Sequence, residues 1–537
     1  MYRYNQIIVK VSFVALLGFV LLCSCNETAK TVDKTKKPNI LFIVVDDLGY
    51  ADLGVMGSTY YETPNIDKLA KSGTIFTNGY ATCAVCSPSR ASLLNGQFTA
   101  RHGLTQYGGA KSGQKWKALN RHTRLLPPEF KHHLDQSDVV LPEVLKENGE
   151  ATFFAGKWHL GSEKNASLPT NHGFDSNQGG YEKGGPYSGG YFSPFNNPYM
   201  EDFEDEKGMS LSMKLAKETS KFITAQKDAT FLAYLSFYAV HSPIQTTKAK
   251  WEKYRNKADS IGIAEQGFEM ERVLPARKFQ DNPVYAGLIE EVDDAVGSVL
   301  NTLKELKLEE NTIVVFTSDN GGVTSGDNFS TNQLQLRGGK GYQWEGGVRV
   351  PYFIYVPWMQ QEQKSKKPVT GADLFPTLLD LVNIPLLPEA HADGVSLQPL
   401  LKGDDIAERP LFWHYPHYGN QGGEPVSIIR KGSWKLIHYW EDKHQELYHL
   451  ENDISEKNNQ IEEHEAIAKT LNKDLMDWLK RMDTQYAEVD PNWNEKARIQ
   501  RLEDHKNILL PKLERQRSKM LSPNWKPNKH WWGSEIK

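Results

Sequence analysis

The sequence predicts an α/β fold, in which a large mixed and mostly parallel sheet is flanked by helices and followed by a smaller C-terminal antiparallel sheet with a helix. Continuous apolar runs at Asn39–Val45, Phe231–Phe237 and residues 312–317 are typical of strands that are buried on both faces of a sheet. Residues 285–303 carry apolar side chains at helical spacing, which predicts a helix packed on that sheet. From about residue 404 polar and apolar residues alternate, as they do in antiparallel strands.

The remaining elements follow from local patterns along the chain. Those of the larger unit are a capped helix from Thr63-Pro64, a strand near residues 74–77, a helix at 141–148, a strand at 151–155 and a helix at 373–381. Those of the smaller unit are strands at 410–415, 426–437 and 446–450, with a charged amphipathic helix at 462–482. Residues 490–537 are polar and helical in part, and no role follows from them.

Residues 176–200 are rich in glycine and aromatic residues, and they predict a long ordered loop. Tyr181, Tyr187 and Tyr191 lie within it. Two interpretations stay open for these aromatic side chains. They either stack on sugar rings or pack down as a lid.

Composition excludes some classes of protein. Apolar residues make up 39% of the 537 residues and charged residues 24%, which is enough apolar material for a sizeable core. With 63 Lys and Arg against 67 Asp and Glu, the net charge is −4. This is too mild to predict nucleic acid or an anionic membrane surface as a partner. An anionic substrate would therefore need a local basic pocket.

The N-terminus predicts export. Residues 1–25 carry Arg3 and Lys10 before an apolar run at 11–22 that is too short to span a bilayer comfortably. The run ends in a Ser24-Cys25 pair that resembles a bacterial lipobox, which predicts lipidation of Cys25, a tether at residues 26–37 and a lipoprotein in the periplasm or at the cell surface. A plain cleaved signal is the alternative. The lipid would be the only membrane attachment.

Cysteine usage excludes a disulfide framework. Two of the four cysteines lie in the leader, which leaves only Cys83 and Cys86 in the mature fold. Cys86-Ser87-Pro88-Ser89-Arg90 places a cysteine at a predicted helix N-terminus, where free N–H groups favour an anion, and Arg90 one turn later can bind that anion. A redox or disulfide pair with Cys83, or a buried structural cysteine, are the alternatives.

Oxygen ligands follow two of the predicted strands. Asp46-Asp47 comes directly after the strand Asn39–Val45, and Asp319-Asn320 closely follows the strand at 312–317. Parallel strands place their carboxyl ends at the edge of a sheet where ligands bind. Four oxygen donors suit Ca²⁺ better than Zn²⁺, which prefers His and Cys. The alternative is a pair of solvated turns.

Basic side chains follow other elements of the larger unit. Lys157 and His159 alternate after the strand at 151–155, so both point to one face of extended backbone. His241 follows the strand Phe231–Phe237. Lys340 lies in a glycine-rich loop that lacks the spacing of a phosphate-binding P-loop.

Cys86-x-Pro88-Ser89-Arg90 with Leu94-Asn95-Gly96 resembles the signature of the type I, formylglycine-dependent sulfatases of the alkaline-phosphatase-like superfamily. The resemblance covers residues 39–482. Within the family, the chain is similar to bacterial polysaccharide sulfatases. It implies that a formylglycine-generating or equivalent maturation enzyme converts Cys86 to 3-oxoalanine (formylglycine), whose hydrate attacks sulfur.

The resemblance also implies a role for each motif residue. One Ca²⁺ would be bound by Asp46, Asp47, Asp319, Asn320 and the oxygen derived from Cys86. Arg90 and Lys157 would stabilise the hydrate and the sulfate, and His159 would be the base. His241 and Lys340 would bind sulfate oxygens and serve the leaving group.

The predicted function is hydrolysis of sulfate esters on a sulfated carbohydrate, such as an algal or host polysaccharide or oligosaccharide. The close alternative is a phosphonate or phosphodiester hydrolase with the same nucleophile motif. A non-catalytic glycan-binding lipoprotein should have lost Cys86, His159 or Lys340, and the sequence retains all three.

Sugar contacts are predicted for His172, His414 and His417. The last two belong to residues 413–418, which follow a strand of the small sheet and are rich in aromatic and imidazole groups. The alternative is that these residues cement the small sheet to the larger unit. The predicted organisation is a leader at 1–25, a tether at 26–37, a catalytic domain at 38–403 and a C-terminal subdomain with a tail at 404–537.

Overall fold

A central eight-stranded sheet carries the larger part of the chain. Its strands are β1 (Asn39–Val45), β2 (Thr74–Phe76), β3 (Ala151–Gly156), β4 (Ser176–Gln178), β5 (Phe231–Phe237), β6 (Thr312–Ser318), β7 (Tyr352–Tyr355) and β8 (Gln363–Ser365). The spatial order is β8-β2-β7-β6-β1-β5-β3-β4. All neighbours from β6 to β4 are parallel, whereas β7 is antiparallel to both β6 and β2. The predicted large, mixed and mostly parallel sheet is confirmed.

The computed structural model describes residues 37–187, 189–201, 203, 206–359 and 362–526, together with the short strand Glu535–Ile536. Residues 37–537 form one compact unit. The predictions made for the leader, for lipidation of Cys25 and for the tether up to residue 36 lie outside the described residues.

Helices cover both faces of the sheet. They are α1 (Pro64–Ser72), α2 (Cys86–Asn95), α3 (Leu141–Glu147), α4 (Leu211–Ala225), α5 (Lys248–Ile261), α6 (Pro283–Glu305) and α7 (Leu374–Leu381), with short helices at Thr99–His102, Glu345–Val348 and Gln398–Leu401. Alternate residues of β1 face two separate cores, because side chains of a strand alternate between its faces. Ile43 packs in the core of α4, α5 and α6, whereas Phe42 packs in the core of α2, α3 and α7.

The three central strands end at the same level. Val45 of β1 pairs with Ser318 of β6 on one side and with Phe237 of β5 on the other. Gly156 of β3 pairs with Ser236 of β5. The residues that follow these strands therefore meet at one edge of the sheet, which is where parallel sheets bind ligands.

A second sheet is formed by the strands β9 (Leu411–Tyr415), β10 (Val426–Lys431), β11 (Trp434–Tyr439) and β12 (Gln445–His449), which pair in sequence order and antiparallel. Helix α8 (Glu465–Met482) packs on this sheet through Leu475 and Trp478. The predicted antiparallel sheet with a helix is confirmed. Its core continues into the larger part through Trp344 and Val348.

The tail also packs on the larger part. It contains α9 (Glu495–Asp504) and α10 (Leu510–Met520), joined by a π-helical turn at His505–Leu509. Arg517 of α10 is buried and donates to Asp281, with an Nε to Oδ2 distance of 2.7 Å. The tail is thus held by a buried ion pair as well as by apolar contacts.

A buried lysine ties the small sheet to the loop that carries Lys340. Lys435 of β11 is 1% exposed, and its Nζ lies 3.1 Å from Glu345 and 2.8 Å from Glu456. Burial raises the pKa of the Glu456 carboxyl to about 7, although Lys435 opposes the shift. Removing the lysine would leave two buried carboxyl groups without this cation.

We therefore expect Lys435→Met to lower the free energy of unfolding by about 3–5 kcal/mol, since breaking a buried ion pair leaves uncompensated charge. The matched control is Lys431→Met on β10, whose side chain is 44% exposed and pairs with Asp474 at 3.0 Å. Exposed pairs contribute only about 0–1 kcal/mol. Denaturant unfolding of both variants measures the difference, and equal losses would contradict a structural role for the buried cluster.

Candidate active site

Three carboxylates meet where β1 and β6 end. Asp46, Asp47 and Asp319 are fully buried, and one oxygen from each lies within 4.8 Å of the others. Asn320 lies beside them, and its Nδ2 donates to Asp47 Oδ1 at 2.8 Å. The structure thus brings together the four oxygen-bearing residues that the two strand-end motifs predict.

Each of these carboxylates is paired with a different cation. The three closest pairs are Lys157 Nζ to Asp46 Oδ2 at 2.6 Å, Lys340 Nζ to Asp47 Oδ2 at 2.8 Å, and Arg90 Nε to Asp319 Oδ2 at 2.7 Å. All three cations are almost fully buried. Three basic side chains are therefore paired with three carboxyl groups inside the protein, where an unpaired charge would be costly.

The pKa values of the carboxyl groups follow from burial and from these cations. Burial raises the pKa of Asp46 well above its ordinary range, with Lys157 acting against it and Asp319 adding to it. Burial also acts to raise the pKa of Asp47, but the nearby Lys340 ammonium outweighs it and the pKa is lowered. The carboxyl groups thus still repel one another, and a further cation would relieve that repulsion.

The donor set fits a hard divalent cation. Asp46 Oδ1 and Asn320 Oδ1 are both buried and have no hydrogen-bond partner within the described part of the chain. Buried acceptors without partners are rare and costly. Carboxylate and amide oxygens are the ligands that Ca²⁺ prefers. These residues therefore could hold such an ion through the two free acceptors and the neighbouring carboxylates.

Cys86 opens α2 at the rim of this cluster. It is the first residue of the helix, after the N-cap Val85, and it is 4% exposed. Its Sγ lies 3.4 Å from His159 Nδ1. Burial raises the pKa of the Cys86 thiol, so an unmodified thiol stays protonated at neutral pH. Cys83 and Cys86 are both free, so the alternative of a disulfide between them is not seen.

Arg90 is fixed on three sides and keeps one free group. Besides its bond to Asp319, its NH1 donates to the carbonyl of Lys157 at 2.8 Å and to Ser236 Oγ at 2.7 Å. Its NH2 is buried without a hydrogen-bond partner among the described residues, 3.8 Å from Asp46 Oδ1. This guanidinium group is therefore held rigidly, with donors left for an anion.

Lys157 and His159 follow the end of β3. Gly156 has φ of 105°, and a Cβ at this position would lie 1.7 Å from the carbonyl oxygen of Ser236, so only glycine allows β3 to approach β5 here. His159 itself has φ of 60°, a conformation that non-glycine residues rarely adopt and that is often found at functional sites.

Both active-site imidazoles are neutral. Burial lowers the pKa of His159 well below its ordinary range, and the nearby Lys157 lowers it further. Burial and Lys340 lower the pKa of His241 to about 3. His241 Nδ1 donates to the carbonyl of Ser242 at 2.7 Å, which leaves Nε2 as the acceptor, 3.8 Å from Asp47 Oδ2. Each ring can therefore accept a proton.

Four of the predicted site residues line one cavity of about 720 Å³, whereas Arg90, Lys157 and the carboxylates lie behind its wall and are not among its lining residues. Cys86, His159, His241 and Lys340 line it, together with Gln106, Tyr107, His132, Glu182, Lys183, Tyr187, Asp327, Tyr415, Asn420 and Gln421 among others. A polar cavity with aromatic walls and several hydrogen-bonding groups is suited to a polar organic ligand that carries an anionic group.

The aromatic residues of the loop at 176–200 divide between the core and the cavity. Tyr191 and Phe192 are 1% and 3% exposed and pack in the core. Tyr187 is 58% exposed, lines the cavity and places its ring edge against His241, with ring centroids 6.0 Å apart. Among the aromatic side chains that the structure describes in this loop, Tyr187 is therefore the one that lines the cavity, where Glu182 and Lys183 of the same loop also lie.

The three histidines predicted as sugar contacts are not among the residues that line the cavity. The nearest partners of their ring nitrogens are Ser167 Oγ at 3.0 Å for His172, Ser427 Oγ at 2.7 Å for His414, and Thr105 Oγ1 at 2.9 Å for His417. Each is at most 1% exposed. The structure therefore does not support direct substrate contact by these side chains, because each is enclosed by the protein.

The residue patterns did not point to Ser236, Asp327 or Gln421. Ser236 is an ordinary small residue inside an apolar strand, and no local signal distinguishes it. Asp327 and Gln421 are hydrogen-bonded to each other although 94 residues separate them. Such a contact depends on how the small sheet docks, which local patterns do not show.

The fold and this site define a sulfatase. Residues 38–384 match the family model described as Sulfatase, and residues 339–485 match one described as N-sulphoglucosamine sulphohydrolase, C-terminal. The chain belongs to the sulfatase family and is a sulfuric ester hydrolase. The family membership and the alkaline-phosphatase-like fold that the motifs predicted are confirmed.

Individual relatives match over most of the chain. A protein named Sulfatase from Formosa agariphila is 29% identical over 544 residues, which cover 88% of this chain and 94% of that protein. The N-acetylgalactosamine-6-sulfatase of Canis lupus familiaris is 30% identical over 428 residues, covering 75% of this chain and 72% of that protein. The crystal structure of Ps i-CgsB in complex with k-i-k-neocarrahexaose is 26% identical, with a TM-score of 0.67, and covers 89% of this chain and 100% of that chain.

We expect His417→Ala to act through the scaffold. Removing the ring leaves the Thr105 hydroxyl without its partner and opens a gap beside Phe130 and Tyr415, which should cost about 1–3 kcal/mol of stability. Thermal unfolding measures this loss. The value of kcat/KM should change by the same factor for an aryl sulfate and for a sulfated oligosaccharide. An unchanged melting temperature with a loss confined to the oligosaccharide would restore the predicted sugar contact.

Proposed function

We propose that this sulfatase removes sulfate groups from a sulfated carbohydrate. The observation that carries the proposal is the cavity in which Cys86, His159, His241 and Lys340 share walls with exposed Tyr187, since an aromatic ring beside an anion site suits a sugar that bears a sulfate. Relatives support it: one is named for N-acetylgalactosamine 6-sulfate, and a solved structure holds neocarrahexaose.

We further infer that Cys86 is converted to formylglycine by a maturation enzyme. The motif Cys86-Ser87-Pro88-Ser89-Arg90 supports this, and so does the raised pKa of the thiol, which makes unmodified Cys86 a poor nucleophile at neutral pH. The hydrated aldehyde would supply a hydroxyl nucleophile at the position of Sγ. His159 Nδ1, 3.4 Å from that atom, is placed to accept a proton there.

We assign the metal site to one Ca²⁺, held by Asp46, Asp47, Asp319 and Asn320 with the oxygen at position 86. Two free buried acceptors and the mutual repulsion of the carboxylates support this assignment. Bound there, Ca²⁺ would supply a Lewis acid that offsets negative charge.

The protein's own cations have distinct tasks in this proposal. Arg90 NH2 and Lys157 lie beside Asp46 on one side of the cluster, where they would hold oxygens of the sulfuryl group. Lys340 lies on the other side with His241. Burial opposes the charged form of Lys340, but Asp47 raises its pKa well above its ordinary range. Lys340 therefore stays protonated and can stabilise negative charge on the leaving oxygen through a charged hydrogen bond.

The leader supports an exported lipoprotein, lipidated on Cys25, with export followed by simple cleavage as the alternative. The described residues include no helix with the length and apolar character needed to cross a bilayer.

The experiment that tests the sulfatase mechanism replaces the two buried cysteines in turn. Cys86→Ala should abolish hydrolysis of both an aryl sulfate and a sulfated oligosaccharide while the melting temperature stays close to wild type, because the change is small. Cys83→Ala, the matched control, lies outside the motif and should remain active. Peptide mass spectrometry should find residue 86 about 18 Da lighter than cysteine in the wild type, from loss of the thiol in favour of an aldehyde.

Full activity with an unmodified thiol at position 86 would overturn the mechanism. Faster hydrolysis of matched phosphonate or phosphodiester substrates than of sulfate esters would favour the alternative hydrolase. Binding of a sulfated glycan without turnover in the wild type would favour the non-catalytic alternative.

Removal of one metal ligand tests the calcium assignment. Saturating Ca²⁺ should stabilise the chelator-treated wild type, by about 2.7 kcal/mol at a concentration 100 times the Kd. Asp319→Asn should lose most of this Ca²⁺-dependent shift in melting temperature. Asp293→Asn is the control, because Asp293 is equally buried but accepts hydrogen bonds from Asn65 and Ile66. The calcium assignment would be refuted if a chelator changed neither the melting temperature nor the activity of the wild-type protein.

A further inference from the structure

A carboxylate that the proposed chemistry does not use lies in the cavity. Asp327 lines it, and its Oδ2 is 3.9 Å from Lys340 Nζ. Its side chain is 23% exposed. Lys340 already has Asp47 at 2.8 Å, so Asp327 is not required to neutralise this lysine. Asp327 therefore adds negative charge to a cavity whose proposed substrate is itself an anion.

The carboxylate is held in place from the small-sheet side. Gln421 is 4% exposed, and its Nε2 donates to Asp327 Oδ2 at 2.6 Å. Gln421 also packs against the Lys340 loop, because a Cβ on Gly341, whose φ is 79°, would lie 2.7 Å from Gln421 Oε1. The glutamine thus lies between Asp327 and the Lys340 loop and fixes one oxygen of the carboxylate.

The other oxygen is left for a ligand. Among the described residues, Gln421 is the hydrogen-bond donor to Asp327, and it engages Oδ2. No donor to the remaining oxygen, Oδ1, is found in the part of the chain that the structure describes, and Asp327 lines the cavity, so this oxygen is available to a ligand there. A carboxylate with one fixed and one free oxygen is a strong acceptor for a hydroxyl group, and it repels a second anion in the same place.

We propose that Asp327 determines specificity: it accepts a hydrogen bond from a free hydroxyl group that neighbours the sulfate ester on the substrate sugar, and it selects against sugars with a second sulfate there. This inference rests on the proposed carbohydrate function. The substrate class is then narrower: sulfated sugars in which the hydroxyl group next to the sulfate ester is unmodified. Lys340 would contact the ester oxygen of the sugar, and Asp327 would contact the adjacent hydroxyl oxygen.

The test compares Asp327→Ala and Asp327→Asn with wild type on three kinds of substrate. These are the best substrate from a panel of galactose, glucosamine and N-acetylgalactosamine monosulfates, its counterpart with a second sulfate at the neighbouring position, and 4-nitrophenyl sulfate. Asp327→Ala should lower kcat/KM for the monosulfated sugar by about 10- to 100-fold, as expected for a lost hydrogen bond to a charged group. The aryl sulfate, which has no hydroxyl, should change by less than about twofold.

Asp327→Asn keeps the shape of the side chain and removes its charge. The ratio of kcat/KM for the monosulfated sugar to kcat/KM for the disulfated sugar should therefore fall by about tenfold. If Asp327→Ala fails to fold, Asp327→Asn still tests the proposed role of Asp327. The control Asp228→Asn removes an exposed carboxylate from the turn before β5, at the end of that strand opposite to His241, and should leave every ratio unchanged.

Two results would overturn the assignment. Equal losses on the aryl sulfate and the sugar would show that Asp327 acts through Lys340, and unchanged values on all substrates would show that it touches none of them. Wild-type protein that hydrolyses the aryl sulfate but no sulfated sugar would instead refute the proposed carbohydrate function, and the role of Asp327 with it.

Discussion

The structure depends on a balance of buried charge at the ends of β1 and β6. Three carboxylates converge there because the two strands are parallel and in register, and each carboxylate has its own cation. Removing charges from water is expensive, and only close pairing in a low-dielectric interior offsets that cost. The cluster consequently fixes the segments that supply Arg90, Lys157 and Lys340, and it places buried oxygen donors beside buried basic side chains.

The C-terminal part completes this site, although it supplies none of the charged pairs at its centre. Lys435 holds Glu345 beneath the Lys340 loop, and Gln421 holds Asp327 in the cavity wall. The small sheet and the large sheet share a core through Trp344. The cavity walls around Lys340 and Asp327 are thus supported from the small-sheet side.

Much of the site follows from sequence because its residues directly follow strands with strong local signals. The strands β1, β5 and β6 are continuous apolar runs, so their ends, and hence Asp46 and Asp319, can be located from sequence alone. Helix α5 is different: its buried stripe consists of Trp251, Tyr254 and Ala258 within an otherwise charged segment, a signal too weak to predict it. The burial of His414 and His417 depends on how segments that are far apart in the sequence pack together. Local sequence patterns do not show this packing, so they do not distinguish these enclosed side chains from exposed ones.

Long-wavelength anomalous diffraction from crystals of the mature protein tests the metal site and the modification of Cys86 together, because calcium and sulfur both scatter anomalously. We expect one strong peak bounded by oxygens of Asp46, Asp47, Asp319 and Asn320. We also expect a sulfur peak at Cys83 but none at residue 86, where the side chain carries oxygen instead. A sulfur peak at residue 86 equal to that at Cys83, with no peak among the carboxylates, would contradict both the modification and the metal site.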